Sequence, residues 1–469
     1  MTSVRELIGI VLTVALPWIA GALGVAALWR ERAQGHGLMC IGYGYLLGAT
    51  ATTLILRAAS IAGWRWSFAE IAAVLAVLAG IAWYAARPMP MLRSAWARSR
   101  SSLAALPPAS RRIFALFLAL ATLNVVALLF CVLWGLLLPY DAITHWADKA
   151  RVWFEYGRIM PFVGSAEWLR LGDAQVFWDP NPGHPGAVPL LQVWTVLGLG
   201  RWDESLMNLP WVAAFVAFGC AFYAQARRLG TGTTKAMVCT YLLLSLPLLQ
   251  INVAVSGMAD MFVGMTYGLA AASLWLWART RAWQDAALAV LMALACVLFK
   301  NEGVLWAATL LPAAAVAVHR RSGLAFCGAL AGAALLYLAF GPGEVAIMGY
   351  TLKTHLANVA GPMLAHMLVM DNWHLFWYAA LAIIVLNARR LLDPPVAAMT
   401  ATVGAGAAFV IVVYFFSSAA GGVNEESLVN RFLLQAVPAL AFYLVALLQH
   451  RAGIAIERQP TLSAASAAD

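Results

Sequence analysis

Asp141, His145, Asp148 and Lys149 stand close together in the stretch PYDAITHWADKARVWFEYG, residues 139–157. At helical spacing these four share one side, while Ile143, Trp146, Ala150 and Trp153 share the other. Two carboxylates and an imidazole on one face offer a base for an incoming hydroxyl and a group to orient it, with an ammonium beside them. The apolar face predicts a helix lying in a membrane interface, apolar side down and polar chemistry outward.

Further ionisable residues stand at the ends of apolar blocks, where a charge is expensive and therefore a functional candidate. Asp260 follows SGMA, Lys300 and Glu302 flank Asn301 in VLFKNEGVLW, and Arg431 opens NRFLLQAVP. Cations at that depth suit a lipid phosphate, and an acid nearby suits the proton of a hydroxyl. His184 sits in the Pro/Gly-rich DPNPGHPGAVP. Each residue also has a plainer reading. Asp141 and Asp260 would be helix caps, Lys300 and Glu302 an ion pair closing a helical hairpin, and Arg431 a snorkelling anchor. His145 and Asp148 would be solvated positions on a polar face, His184 a loop residue beside prolines, and Trp146, Trp153 and Trp178 interface anchors. Asp141, Asp148, Asp179 and His184 have the donor atoms for a divalent metal, although their spacing does not demand one. Arg57, inside an apolar block, is expected to pair with Glu70.

The elements that must position these residues follow from composition. Of 469 residues, 63% are hydrophobic and 11% charged, against about 25% charged in a soluble globule. The apolar residues come in blocks of bilayer-spanning length, which predicts an all-α polytopic membrane protein. Its thirteen spans (twelve to fourteen) fall near 7–29, 39–62, 67–86, 113–138, 205–226, 236–254, 261–279, 284–299, 303–318, 324–341, 373–388, 396–416 and 432–449. The net charge of +9 is no nucleic-acid signal, because the basic residues cluster in short gaps such as ARRLGTGTTK and HRRSG, a pattern that marks the cytoplasmic side. The opposite gaps are acidic and hold Asp141, Asp148, Asp179, Asp260 and Glu302. The working face is therefore outward, with the N-terminus on that side and the C-terminus in the cytoplasm. The six cysteines lack metal-type spacing and read as buried small hydrophobes.

The chain divides into three N-terminal spans (1–86), a basic cytoplasmic linker (87–112), a larger membrane module (113–450) and a tail (451–469). The module's first outward loop, 139–204, is expected to carry interfacial helices. Its LLQVWTVLGLG segment is too short to span and reads as re-entrant or interfacial. A second outward segment, 342–372, is expected to form another interfacial helix.

Over roughly residues 113–450 the sequence resembles the GT-C superfamily of integral-membrane glycosyltransferases, especially lipid A aminoarabinose transferases and protein O-mannosyltransferases. The resemblance rests on YDAITHWADKARVWFEYG, on HPGAVPLLQVW with WDE soon after, on SGMADMFVG, and on FKNEG with NRFLLQAVP. It implies that Asp141 is the catalytic acid opening the first outward loop; on chemical grounds His145 or His184 would orient it or the acceptor, and Asp148 joins the catalytic candidates. It maps His184 and Pro185 onto the element before the re-entrant helix, Asp260 onto the acid starting a later span, and Lys300 onto a lysine-containing turn. Arg431 and Lys300 would hold the phosphate of a polyprenyl-phosphate sugar donor, while His184, Asp260, Glu302 and Lys149 would face substrate or acceptor. The acceptor would be a lipid, glycan or protein in or on the membrane, and the setting a bacterial inner membrane. Some superfamily members use a divalent ion. The chain departs from the pattern in its three leading spans and in Val188-Pro189-Leu190, which stands where Pro-Pro-Leu is usual. The competing readings are a transporter or flippase of lipid-linked saccharides, and a glycan ligase or polymerase. Transporters typically show two related halves, and no internal repeat is visible in this sequence.

Overall fold

The computed structural model describes residues 3–29, 36–87, 100–172, 175–347, 350–394 and 396–451. Within these, nine helices are long and apolar enough to cross a membrane. The pair Thr233–Leu244 and Pro247–Ala254, bent by 62°, makes a tenth crossing if it is one span. The bend falls at Leu246-Pro247, where proline removes an amide donor and disfavours helix in the residue before it. The protein is an all-α polytopic membrane protein. Three expected spans, 284–299, 303–318 and 373–388, correspond to shorter apolar helices, Trp283–Phe299, Glu302–Val318 and Phe376–Leu386. Residues 88–99 of the linker and 452–469 of the tail lie outside the described residues.

The helices separate into an inner and an outer set. The most apolar stretches of Asp260–Thr280 and Leu428–His450 are each 89% buried, against 6% for Arg320–Phe340 and 11% for Phe68–Ala86. The two inner helices approach closely because Gly264 and Gly268 stand one turn apart, the small-xxx-small spacing that lets membrane helices touch backbone to backbone. A Cβ on Gly264 would lie 2.8 Å from the Leu434 carbonyl oxygen, and one on Gly268 would lie 2.5 Å from Pro438 Cβ. This contact brings Asp260, at the head of one helix, beside Arg431 and Gln435 on the other.

The loop expected to float with its polar side outward is instead built into the protein. Ala142–Ala147 forms a π-helical turn that runs into the Asp148–Tyr156 helix. The wider π turn shifts the α-helical phase. His145 and Lys149 are buried along with Trp146, Ala150 and Trp153, while Ile143 and Asp148 are exposed. The Ala187–Leu199 helix is tucked into the bundle rather than laid on its surface. Its Trp194 Nε1 donates to the Thr13 carbonyl at 2.7 Å and its Gln192 to Asn208 at 3.0 Å. An ion pair between Arg201 and Glu6 at 3.1 Å places the start of the first helix on the same face as this loop.

The 342–372 segment is not one helix. Glu344–Ile347 and Tyr350–Lys353 pair as an antiparallel hairpin. The second strand extends onto the neighbouring loop, with the Lys353 amide donating to Phe416 O at 2.8 Å. Helix follows only at Ala360–Leu364, continuing as a π turn over Ala365–Val369. The Arg57–Glu70 pair is not formed. The Arg57 guanidinium lies instead against Gly186, where an added Cβ would be 3.3 Å from its Nη2.

Candidate functional site

Asp260 is the first residue of one of the two most buried spanning helices and has no accessible surface. A carboxylate in that setting needs several donors to offset its lost hydration, and it has three. Its Oδ1 accepts from Gln435 Nε2 at 2.7 Å and Lys300 Nζ at 3.0 Å, and its Oδ2 accepts from Arg431 Nε at 2.9 Å. Gln435 is held in turn by Trp306 Nε1 at 2.5 Å.

Arg431 reaches past Asp260 to a second acid. Its Nη1 donates to Asp141 Oδ2 at 2.6 Å. The two aspartates can flank one guanidinium because the SGMA turn lies hard against the start of the 139–204 loop. Gly257 in that turn has φ +87, and a Cβ there would sit 2.8 Å from Ala142 Cβ, so both conformation and space call for glycine. Asp141 makes no capping hydrogen bond to its helix, which removes the plainer reading of that residue. Its side chain is 32% exposed, against 13% for Arg431 and none for Asp260. The network is therefore open at Asp141.

On the other side, Lys300 Nζ also pairs with Glu302 Oε1 at 3.2 Å, and the Tyr350 hydroxyl donates to the same oxygen at 3.5 Å. Burial would lower the Lys300 ammonium, but Asp260 and Glu302 hold it above its ordinary value. Burial, with Glu302 beside it, pushes the Tyr350 phenol up to about 12, so it remains a donor at neutral pH. Three carboxylates thus face two cations, and the cluster is one negative charge in excess.

A second buried aspartate organises the loop. Asp179, also without accessible surface, accepts from His145 Nδ1 at 2.6 Å and from the Asn181 amide at 2.7 Å, and it forms an ion pair with Lys149. Asn181 Nδ2 lies 3.3 Å from His145 Nε2. With that amide donating, the proton of a neutral imidazole falls on Nδ1 and faces Asp179. Burial alone would raise the Asp179 carboxyl, yet the bonds from His145, Lys149 and Asn181 hold it down at about 2.

His184 stands between the two clusters. Its ring centroid lies 5.4 Å from that of Trp146 and 6.1 Å from that of His145. Burial lowers its basicity, with Glu302 opposing that and Lys300 adding to it. Its Nδ1, Trp146 Nε1 and Glu302 Oε2 are buried with no hydrogen-bond partner among the described residues. Two donors or acceptors and a carboxylate oxygen thus remain free for a polar ligand.

Of the residues singled out in the sequence, Asp141, Asp260, Lys300, Glu302 and Arg431 come together, with His184 alongside. His145 and Lys149 do not join them, because both are committed to Asp179. Asp148 stays apart, exposed and unpaired among the described residues, its carboxyl raised by partial burial and by Asp179. The proposed metal set of Asp141, Asp179 and His184 is not assembled. Asp141 faces Arg431 and Asp179 turns to Lys149 and His145, and no group of three His, Cys, Asp or Glu among the described residues is placed to hold an ion. Sequence reasoning missed Gln435, Trp306, Tyr350 and Asn181. Gln435 had a signal, since it lies one helical turn beyond Arg431. Tyr350 had none, because its strand was read as helix. No family model, curated protein or solved structure matches this chain.

Proposed function

We propose that this protein is a GT-C-like membrane glycosyltransferase. It would move a sugar from a polyprenyl-phosphate donor to the hydroxyl of a lipid, glycan or protein acceptor by one inverting displacement. Counting the bent pair and the three shorter helices as crossings gives thirteen spans. The site then faces outward, as the basic gaps on the opposite side require, and the resemblance in sequence points to a bacterial inner membrane.

The observation that carries this reading is Arg431 held between a fully buried aspartate and a partly exposed one. Asp260 fixes the guanidinium, and Asp141 occupies the edge that a ligand would reach. Because the cluster is already one charge negative, an entering phosphate has to displace a carboxylate. Asp141 is the only exposed candidate of the two on Arg431. Donor phosphate on Arg431 and Lys300 would therefore release Asp141 to act as a base, coupling its availability to donor binding. Arginine suits the task through its planar, bidentate geometry.

In the displacement, the acceptor hydroxyl oxygen forms a bond to the anomeric carbon while its proton passes to Asp141. The bond from that carbon to the phosphate oxygen breaks, and its electron pair leaves on polyprenyl phosphate, where Arg431 and Lys300 stabilise the charge. His184, Trp146 and Glu302 supply the unpartnered polar atoms that would orient sugar or acceptor. The test is Asp141→Asn assayed with lipid-linked sugar from host membranes. The variant should fold and bind donor yet lose transfer, and undiminished transfer would rule the base role out.

A further inference from the structure

At the far end of the Asp260–Thr280 helix lies a second site with different chemistry. Twenty-one residues at about 1.5 Å rise each put it ~30 Å from the carboxylate cluster, on the opposite membrane face. There a cavity of about 500 Å³ opens among the ends of several helices. Its lining is mixed, with small apolar residues such as Ala278, Val316 and Ala397 beside His319, and its rim carries Arg281, Arg320 and Arg321.

The rim is cationic without a counter-charge. Arg281 donates to the Ala317 carbonyl at 2.5 Å and lies over the Trp277 ring, and Arg320 donates to the Leu392 carbonyl. Arg321 makes no hydrogen bond or ion pair among the described residues, and none of the three meets a carboxylate there. Of the described acids on this face, Asp285 is bound to Arg228 through two bonds of 2.6 and 2.8 Å, and Asp393 bonds His450 at 2.8 Å. Arg228 shows how this protein neutralises an arginine it means to bury. The three rim arginines are left for something else.

We propose that this cavity binds the phosphate headgroup of an anionic phospholipid, with its acyl chains along the apolar part of the lining. A basic pocket between helix ends at a membrane surface has the chemistry for that ligand. The apolar residues Ala278, Val316, Val318 and Ala397 in the same lining give acyl chains a surface that a free anion would not use. The His319 N-cap, whose ring accepts from the Ser322 amide, starts the Arg320–Phe340 helix at the rim and adds the favourable end of a helix dipole. The site is independent of the reaction proposed above.

The experiment is native mass spectrometry of the full chain in neutral detergent, titrated with phosphatidylglycerol or phosphatidylcholine. Wild type should retain phosphatidylglycerol selectively. Arg321→Gln, which breaks no described contact, should lower that retention roughly fivefold, and each further removal of Arg281 or Arg320 should lower it by a similar factor. Lys235→Gln, removing an exposed cation from the same face, should leave it unchanged. Equal retention by wild type and the Arg321→Gln and triple variants would overturn the proposal, as would an equal loss in Lys235→Gln. Displacement of the lipid by inorganic phosphate at matched concentration would assign the rim to a free anion and overturn the lipid.

Discussion

Asp179 and Asp260 are both fully buried aspartates, each paired with at least one cation, yet their surroundings differ in one respect. Around Asp179 the network stays within one loop and reaches the surface only through the uncharged Asn181. Lys149 and His145 are themselves buried, and every residue bonded to the carboxylate belongs to the 139–204 loop. Around Asp260 the network continues through Arg431 to Asp141, which is 32% exposed, and through Lys300 to Glu302, whose second oxygen is unpartnered. A network confined to one loop holds that loop in place. One that ends in an exposed acid and free polar atoms can exchange partners with a ligand. Buried charge alone therefore marks no site here; the open edge does.

The strongest way to break this comparison is to remove the two acids in turn. Asp179→Ala leaves Lys149 without its counter-charge and should destabilise the protein by about 3–5 kcal/mol. Asp141→Asn, at a partly exposed position, should stay within about 1 kcal/mol. Thermal unfolding followed by tryptophan fluorescence measures both, and equal losses would dissolve the distinction.

Next in size is the helix crossing that sets Arg431 beside Asp260. Gly264→Leu forces a side chain toward the Leu434 carbonyl and should cost about 1–3 kcal/mol as overpacking. It should also weaken donor binding, because the guanidinium moves with its helix. A variant that loses stability but binds donor normally would show that the crossing does not position the site.

Acid titration sharpens the contrast further. The Asp179 carboxyl is held at about 2 in the fold, below its ordinary value near 4. Its contribution to stability is therefore complete above the unfolded value and lost as pH falls from about 4 toward 2. Wild type should lose loop protection against proteolysis over that window. Asp179→Asn should already have lost it at neutral pH and show no further change there.

The smallest effect is expected at Tyr350. Its bond to Glu302 is at the limit of hydrogen-bond length, so Tyr350→Phe should cost no more than about 1 kcal/mol. A larger loss would mean that the hairpin is part of the structural set.

Much of this was legible in the sequence, for identifiable reasons. Span-length apolar blocks report the bilayer directly, and Asp260, Lys300 and Arg431 stood out because charge at their boundaries is costly. That their side chains meet depends on Gly264 and Gly268, whose GMTYG spacing was visible but was not read as a crossing. The loop misled because a π turn shifts the helical phase. His145 and Lys149, predicted to face outward with Asp141, rotate into the protein, where Asp179 receives them. Nothing local in DPNPGHPG announces that partnership. The hairpin at 344–353 was hidden for a related reason, since its second strand finds partners at Phe416 and Ser417, far away in sequence.

The central claim is that Arg431 exchanges Asp141 for a donor phosphate. Native mass spectrometry of wild type, Asp141→Asn and Arg431→Ala, each extracted gently from host membranes, tests it most directly. The account predicts a co-purifying polyprenyl phosphate or its glycosylated form on wild type, retained or increased in Asp141→Asn, where the competing carboxylate is gone, and lost in Arg431→Ala. Bulk phospholipid alone on all three, or a polyprenyl lipid indifferent to Arg431, would contradict it.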